Sequence, residues 1–230
     1  MRIGVPKEIK AQESRVGLTP DSVKVLISNG HEVLVENNSG FEAVFDNDQY
    51  KKAGAKIVNQ ALDIFNDSEI IVKVKEPLNN EIKMIKENQI VFTYLHLAAA
   101  KELTEGLIQS KSVCIAYETV TDENNRLSLL APMSAVDGRM SIQAGAHSLE
   151  KTQKGRGLLL GGATGVQPGN VLILGGGVVG ENAAIIATGM QAAVTIIDKS
   201  PQRLKELHSK FGDAIIPLQS DEVDLQKHIQ

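Results

Sequence analysis

Short apolar runs rich in valine and isoleucine recur along the chain, separated by segments whose apolar residues fall at helical spacing. Residues 2–5 form the first run, and residues 31–36, 55–58, 69–74, 89–94 and 112–116 the others. Their β-branched and aromatic side chains suit a pleated, buried surface. Helix punctuation lies between them. Thr19-Pro20-Asp21 supplies a capping hydroxyl, a proline for the first helical position and an acid for the first turn, and Gly30 closes that helix. Residues 46–52 read as a helix ended by Gly54, and residues 98–110 as another. This strand–helix alternation predicts a mostly parallel sheet with helices on its faces.

A second region begins near residue 130. Residues 129–149 are helical in pattern, interrupted by Gly138 and Gly145, and glycine clusters at 155–157 and 161–165 lead into the apolar run 171–174. That run feeds straight into Gly175, Gly177 and Gly180, at G-x-G-x-x-G spacing. A helical pattern follows over 181–190, then a strand over 193–197 that ends in Asp198. Gly175 permits the tight turn, Gly177 lets backbone approach a pyrophosphate, and Gly180 lets the helix pack close to the sheet. Val178 and Val179 lie at the helix start, where free N–H groups and the positive dipole end meet phosphate. Asp198 falls about 20 residues on, where a carboxylate accepts ribose hydroxyls and repels a 2′-phosphate. NAD is therefore favoured over NADP, an inference that Lys199 and Arg203 weaken. A glycine-rich turn without a ligand is the plainer alternative, but the flanking strand, helix and acid favour the nucleotide.

The predicted fold class is α/β, an N-terminal Rossmann-like domain (1–130) followed by the first half of a dinucleotide-binding Rossmann domain (131–230). Residues 220–230 are polar and charged with no strand-like run, so the second nucleotide-binding half has no sequence to form it. The chain is expected to be a piece or a natural truncation of a longer enzyme, inactive alone, weak for NADH and prone to aggregate through its uncovered sheet edge.

Composition narrows the function classes. A net charge of −4 and a pI near 5.8 argue against nucleic acid or an anionic membrane as partner. No stretch is long enough to span a membrane and no signal-peptide core opens the chain, so the cytoplasm is the expected location. One cysteine, Cys114, rules out an internal disulfide, and its apolar setting predicts a buried core residue.

Three features of the first domain suit chemistry. Arg15, in the loop Glu13-Ser14-Arg15-Val16-Gly17-Leu18, suits a two-pronged grip on a carboxylate. From spacing alone, a solvated surface arginine fits better. Lys75 follows a strand end, where open α/β sheets bind ligands, and alternation puts Lys73 on the same face. Two edge lysines in water fit as well. His96 stands just past the apolar strand 89–94, a suitable place for a general acid/base. Standing alone it would fit a hydrogen-bonded core histidine better. His31, His147, His208 and His228 lack such a setting.

Taken in order, these pieces resemble a known family. Ile3-Gly4-Val5-Pro6-Lys7-Glu8, Arg15-Val16-Gly17-Leu18-Thr19-Pro20, Val74-Lys75-Glu76-Pro77, Tyr94-Leu95-His96-Leu97-Ala98, Ala116-Tyr117-Glu118-Thr119-Val120, Pro132-Met133-Ser134, Gly138-Arg139-Met140-Ser141 and the glycine turn are similar to those of the alanine dehydrogenase / pyridine nucleotide transhydrogenase family, the bacterial L-alanine dehydrogenases in particular. The resemblance covers the whole chain. It implies an oxidoreductase of amino-acid catabolism that interconverts L-alanine and pyruvate plus ammonium with NAD, working as a homo-oligomer at full length. It implies that Arg15 and Lys75 hold the substrate, that His96 is the acid/base, and that Ser134 and Asp198 contact the cofactor, with Arg203 beside them. It also places the family's second catalytic acid beyond Gln230, sets an acid, Asp137, where a small residue is expected, and suggests a magnesium site near Glu13 that is not expected here. Two alternatives are the soluble nucleotide-binding part of a proton-translocating transhydrogenase and a truncated remnant without chemistry.

Overall fold

The structure, a computed structural model, describes residues 1–222. The chain divides into two compact units, Met1–Leu129 and Leu130–Gln230.

The first unit runs β1 (Arg2–Val5), α1 (Pro20–Ser28), β2 (Glu32–Glu36), α2 (Asn47–Lys52), β3 (Lys56–Val58), α3 (Ala61–Asp67), β4 (Ile70–Val72), α4 (Asn79–Ile82), β5 (Ile90–Thr93), α5 (Lys101–Ser110) and β6 (Val113–Ala116). The strands form one parallel sheet in the order β3-β2-β1-β4-β5-β6. Val33, Leu34 and Val35 are buried in succession, as in a strand covered on both faces. One apolar cluster gathers Val5, Val23, Val35 and Tyr50, another Ile64, Phe65, Ile71, Val91 and Leu95. The Tyr50 hydroxyl donates to the Leu18 carbonyl at 2.7 Å, and burial pushes the phenol up to about 12. The chain leaves β1 for one side of the sheet and returns to β4 on the other. The crevice beyond the carboxyl ends of β1 and β4 is therefore the switch point where such sheets bind ligands.

Capping explains α1 and α2. Thr19 Oγ1 accepts the Ser22 N–H at 3.3 Å, and Asp46 and Gln49 cap each other's backbone. α3 and α4 were absent from the sequence expectation, because both are short and neither begins with a residue that announces a cap. Three further expectations are corrected. The helix expected over 98–110 is a 3₁₀ turn, Leu97–Ala99, and then α5, parted at Ala100, whose φ of −131° is not helical. β4 is an interior strand, so Lys73 and Lys75 are not edge lysines. Cys114, on the edge strand β6, is only partly buried.

The second unit runs α6 (Ala131–Ser148), β7 (Asn170–Leu174), α7 (Val178–Gly189), β8 (Ala193–Asp198), α8 (Pro201–Phe211) and β9 (Ile215–Gln219), with a parallel sheet in the order β7-β8-β9. Ile142, Ile173, Ala184, Val194, Ile196 and Leu207 form its core. Gly138 and Gly145 do not interrupt α6. A Cβ at Gly138 would stand 2.2 Å from the Val179 carbonyl oxygen, so glycine there lets α6 meet the start of α7. The sequence pattern also missed α8 and β9. Pro217 demotes a strand in sequence, yet β9 lies at the edge of this sheet, where a missing N–H is tolerated. The expectation for residues 220–230 lies largely outside the described residues, as does His228. No helix among the described residues is long and apolar enough to cross a membrane.

Candidate functional site

The first unit presents its polar groups on loops at the carboxyl ends of β1, β4 and β5. Arg15 lies on the loop after β1, which runs close against β4: a Cβ at Gly17 would come within 2.6 Å of the Val72 carbonyl oxygen. The Arg15 guanidinium grips Glu13 with two prongs, Nε to Oε1 at 2.8 Å and Nη2 to Oε2 at 2.6 Å. This bond holds the Glu13 carboxyl below its ordinary value, and the Lys75 ammonium acts in the same direction. Glu13 in turn raises Arg15, to which Tyr94 and Glu8 also contribute. Lys75 and Tyr94 thus lie within electrostatic reach of the Glu13–Arg15 pair.

His96 follows β5 with left-handed backbone, φ 52° and ψ 36°, which a non-glycine residue adopts only when its surroundings hold it there. The holding group is Glu118. Its carboxylate accepts the His96 N–H at 2.7 Å and the Leu95 N–H at 3.1 and 3.2 Å. Burial works to raise the Glu118 carboxyl, but the bonds from His96, Leu95 and its own N–H outweigh it, so the group lies below the usual carboxylate range. The imidazole is exposed and stacks on Tyr94, centroids 6.0 Å apart at 15°. Tyr94 meets Tyr117 edge to face, and Tyr117 meets Phe92 likewise. Burial pushes the Tyr117 phenol upward. The Tyr94 hydroxyl donates to the Leu129 carbonyl at 2.8 Å.

Lys73 departs most from expectation. It is 1% exposed, and its Nζ meets Glu8 Oε2 at 3.2 Å and Glu81 Oε1 at 2.8 Å. Removing one partner of such a buried pair costs about 3–5 kcal/mol, because the other charge is left uncompensated. Lys75, half-buried, does not share that setting. A lysine inside the run Ile71-Val72-Lys73-Val74 was the available signal, since a charge on an interior strand requires a carboxylate partner. Which carboxylate was not legible, because Glu8 is distant in sequence. Beside this group a cleft of about 820 Å³ opens between Glu76–Asn80 and Ala99–Leu103, and neither Arg15, Lys75 nor His96 lines it. The carboxyl of Glu76 is itself held low. Burial works to raise it, but the Lys10 ammonium, its own N–H and nearby His96 outweigh that.

In the second unit, backbone shapes the site. Gly175 turns at φ +94°, and a Cβ at Gly180 would lie 1.9 Å from the Gly175 carbonyl oxygen. Gly177 precedes the first residue of α7, so the helix N-terminus opens directly on the turn, three residues earlier than the sequence pattern indicated. A Cβ at Gly177 would meet nothing within 4 Å. A cleft of about 530 Å³ runs along this turn, with Ser134, Ile142, Leu174, Gly177 and Val178 in its lining. Asp198 ends β8 and fixes the turn: Oδ2 accepts the Gly176 N–H at 2.7 Å and Oδ1 the Ser200 N–H at 2.8 Å. The Ser200 and Gly176 bonds hold the carboxyl below its ordinary range, and two carboxylate oxygens offer roughly four acceptor positions. Arg203 braces the other side. Its Nε donates to the Gly176 carbonyl at 2.7 Å while the guanidinium pairs with Glu181 and Glu206. Asp137 is exposed on α6.

Among the described residues no group of three or more His, Cys, Asp or Glu side chains is set to hold a metal ion. His31 contacts the N-terminal amine, His147 faces Glu150, and both His147 and His208 are exposed.

Residues 4–137 match the family model for the alanine dehydrogenase/PNT N-terminal domain, and residues 141–230 that for the alanine dehydrogenase/PNT C-terminal domain. The chain is 48% identical over 230 residues to an alanine dehydrogenase of Methanococcus maripaludis, covering 100% of this chain and 62% of that protein. A solved L-alanine dehydrogenase superposes with a TM-score of 0.88 at 52% identity, covering 96% of this chain and 61% of the other. The transhydrogenase of Sinorhizobium meliloti superposes with a TM-score of 0.78 at 24% identity, over 94% of this chain and 64% of that one, a likeness of fold alone. The chain thus spans about 62% of the length of the curated relatives it matches.

Proposed function

The chain belongs to the alanine dehydrogenase/PNT family, and on that premise we propose that this protein carries out reversible, NAD-dependent oxidative deamination of L-alanine. The observation that supports this best is that a two-pronged guanidinium, an ammonium and an imidazole are carried on the loops that follow β1, β4 and β5, with the Glu13 carboxylate in the field of Lys75 and Tyr94 stacked on His96. A small α-amino acid or 2-oxo acid needs those groups: a grip for its carboxylate, a cation for its other polar end, and a proton donor and acceptor at its reacting carbon.

Arg15 holds the substrate carboxylate, displacing or sharing the grip it has on Glu13. Lys75 polarises the carbonyl of pyruvate, or faces the amine of alanine. His96 takes a proton from water as it adds to the imine carbon and returns a proton to the departing amine. The sum is L-alanine, NAD⁺ and water giving pyruvate, ammonium, NADH and a proton. Bound NAD⁺ supplies the hydride acceptor. The glycine turn of the second unit fits it, since the space in front of Gly177 is open and α7 begins there. Asp198, its carboxyl held below the ordinary range, accepts the ribose hydroxyls, which favours NAD over NADP. Arg203 braces the turn, and Ser134 lines the cleft beside it. On this reading residues 1–130 are the substrate domain and 131–230 the nucleotide domain, in a cytoplasmic homo-oligomer whose partners are small molecules, a state that sedimentation checks.

The test is steady-state kinetics on the intact protein. L-alanine should drive NAD⁺ reduction, and pyruvate with ammonium should drive NADH oxidation. Indifference to alanine together with hydride exchange between two nucleotides would refute the proposal and favour a transhydrogenase.

A further inference from the structure

We propose that Glu8, Lys73 and Glu81 are positioning residues for Lys75, an inference that rests on the substrate-binding role given to Lys75 above. The three side chains are at most 3% exposed. Lys73 joins them by bonding one oxygen of each carboxylate. The remaining oxygens grip backbone. Glu8 Oε1 accepts the Val74 N–H at 2.6 Å and, more distantly, the Lys75 N–H at 3.4 Å. Glu81 Oε2 accepts the Leu78 N–H at 2.8 Å. The triad therefore brackets the segment 74–78 from both ends, with Lys75 between the grips.

That segment is irregular, so strand pairing alone does not hold it. β5 contributes from the other side: Thr93 Oγ1 donates to the Lys75 carbonyl at 2.9 Å, and the Tyr94 N–H to the Val74 carbonyl at 3.3 Å. Apolar side chains of similar volume would fill this interior at no greater cost, because burying ions carries a desolvation penalty that their attraction barely offsets. Apolar side chains could not accept three backbone N–H groups. Carboxylates can, through short charge-assisted bonds. Lys73 supplies the countercharge for both carboxylates in this interior. The buried charge thus fixes the backbone that carries Lys75, whose ammonium acts on the Glu13 carboxyl.

The experiment compares Glu8→Ala, Glu8→Gln and Thr93→Val with wild type in the intact protein, measuring kcat and KM for pyruvate at saturating ammonium and NADH, the Kd for NADH, and thermal unfolding. Glu8→Ala should raise KM for pyruvate about 10–100-fold, the scale of one lost charge-assisted bond, with NADH binding within about twofold. Glu8→Gln retains the Oε1 acceptor and should recover most of that KM loss, while its amide nitrogen, set against the Lys73 ammonium, lowers the unfolding temperature. Thr93→Val leaves the triad intact, so it remains informative if Glu8→Ala fails to fold, and should raise the same KM about 2–10-fold. If these variants lose kcat in proportion to lost folded protein at constant KM, the triad is structural only and the inference is overturned. A wild-type protein with no pyruvate-dependent turnover would remove the functional premise, and the inference with it.

Discussion

The two units build their sites in opposite ways. In the second, the main chain is the site: a glycine turn, a helix N-terminus, and one carboxylate and one guanidinium that tie Gly176 down from either side. In the first, the main chain must be forced into place by borrowed carboxylates. Glu118 holds the left-handed His96, Glu8 and Glu81 hold the segment carrying Lys75, and Glu13 holds the Arg15 fork. A site made of backbone needs only small residues at set spacing. A site made of side chains needs partners from elsewhere in the chain, and it fails one partner at a time.

The largest expected effect breaks the first unit's chemistry while leaving the second alone. His96→Ala should lower alanine turnover by about 10²–10⁴-fold, the usual worth of a positioned acid/base, with the NADH Kd within about twofold. A parallel loss of NADH affinity would show that the two sites do not separate as described.

Glu118→Ala comes next. It removes the acceptor for two N–H groups and releases a strained backbone, so turnover should fall about 10–100-fold with His96 intact. Glu118 also carries a pH signature. Its folded carboxyl is held below the ordinary value, so its contribution to stability is complete above the unfolded-state value and is lost as pH falls through the folded one. Urea midpoints of wild type and Glu118→Ala should therefore differ near neutrality and converge as pH drops below the usual carboxylate range. A constant difference would contradict the assignment.

Within the second unit, two glycines of one motif should fail differently. Gly180→Ala has no room against the Gly175 carbonyl and should destabilise the unit by about 1–3 kcal/mol. Gly177→Ala meets no protein atom within 4 Å, so the unit should melt as wild type while NADH affinity falls roughly 10-fold. Equal melting points for both variants would show that the turn tolerates more than its geometry indicates. The smallest effect is expected at Asp198. Replacing it with alanine should narrow the preference for NADH over NADPH by a few-fold, about 1 kcal/mol, through lost repulsion and a loosened Gly176. An unchanged preference would remove Asp198 from the ribose.

The same contrast explains what the sequence disclosed. The nucleotide turn was legible because Gly175 and Gly180 answer local steric demands, Gly177 leaves open space before the helix, and Asp198 closes a strand at a set distance. His96 and Lys75 were legible as positions, each just past an apolar run. Their supports were not, since Glu8 and Glu118 meet them only through the sheet's crossovers. Lys73 read equally as a ligand-facing lysine or a solvated edge one, because strand order, which makes β4 interior, does not show in local pattern. α3, α4, α8 and β9 were missed for related reasons: short helices draw stability from packing, and Pro217 is acceptable only at a sheet edge. Gly138 and Gly145 read as interruptions, although one is a close helix contact and the other lies open inside α6.

The most direct measurement follows the hydride. Incubating the intact protein with [2-²H]L-alanine and NAD⁺, and weighing the NADH formed by mass spectrometry, reports whether the hydrogen on the alanine α-carbon reaches the nicotinamide. Transfer of that deuterium into NADH, abolished in step with turnover by His96→Ala, is the predicted result. Unlabelled NADH, or label that moves only between two nucleotides, would contradict the account.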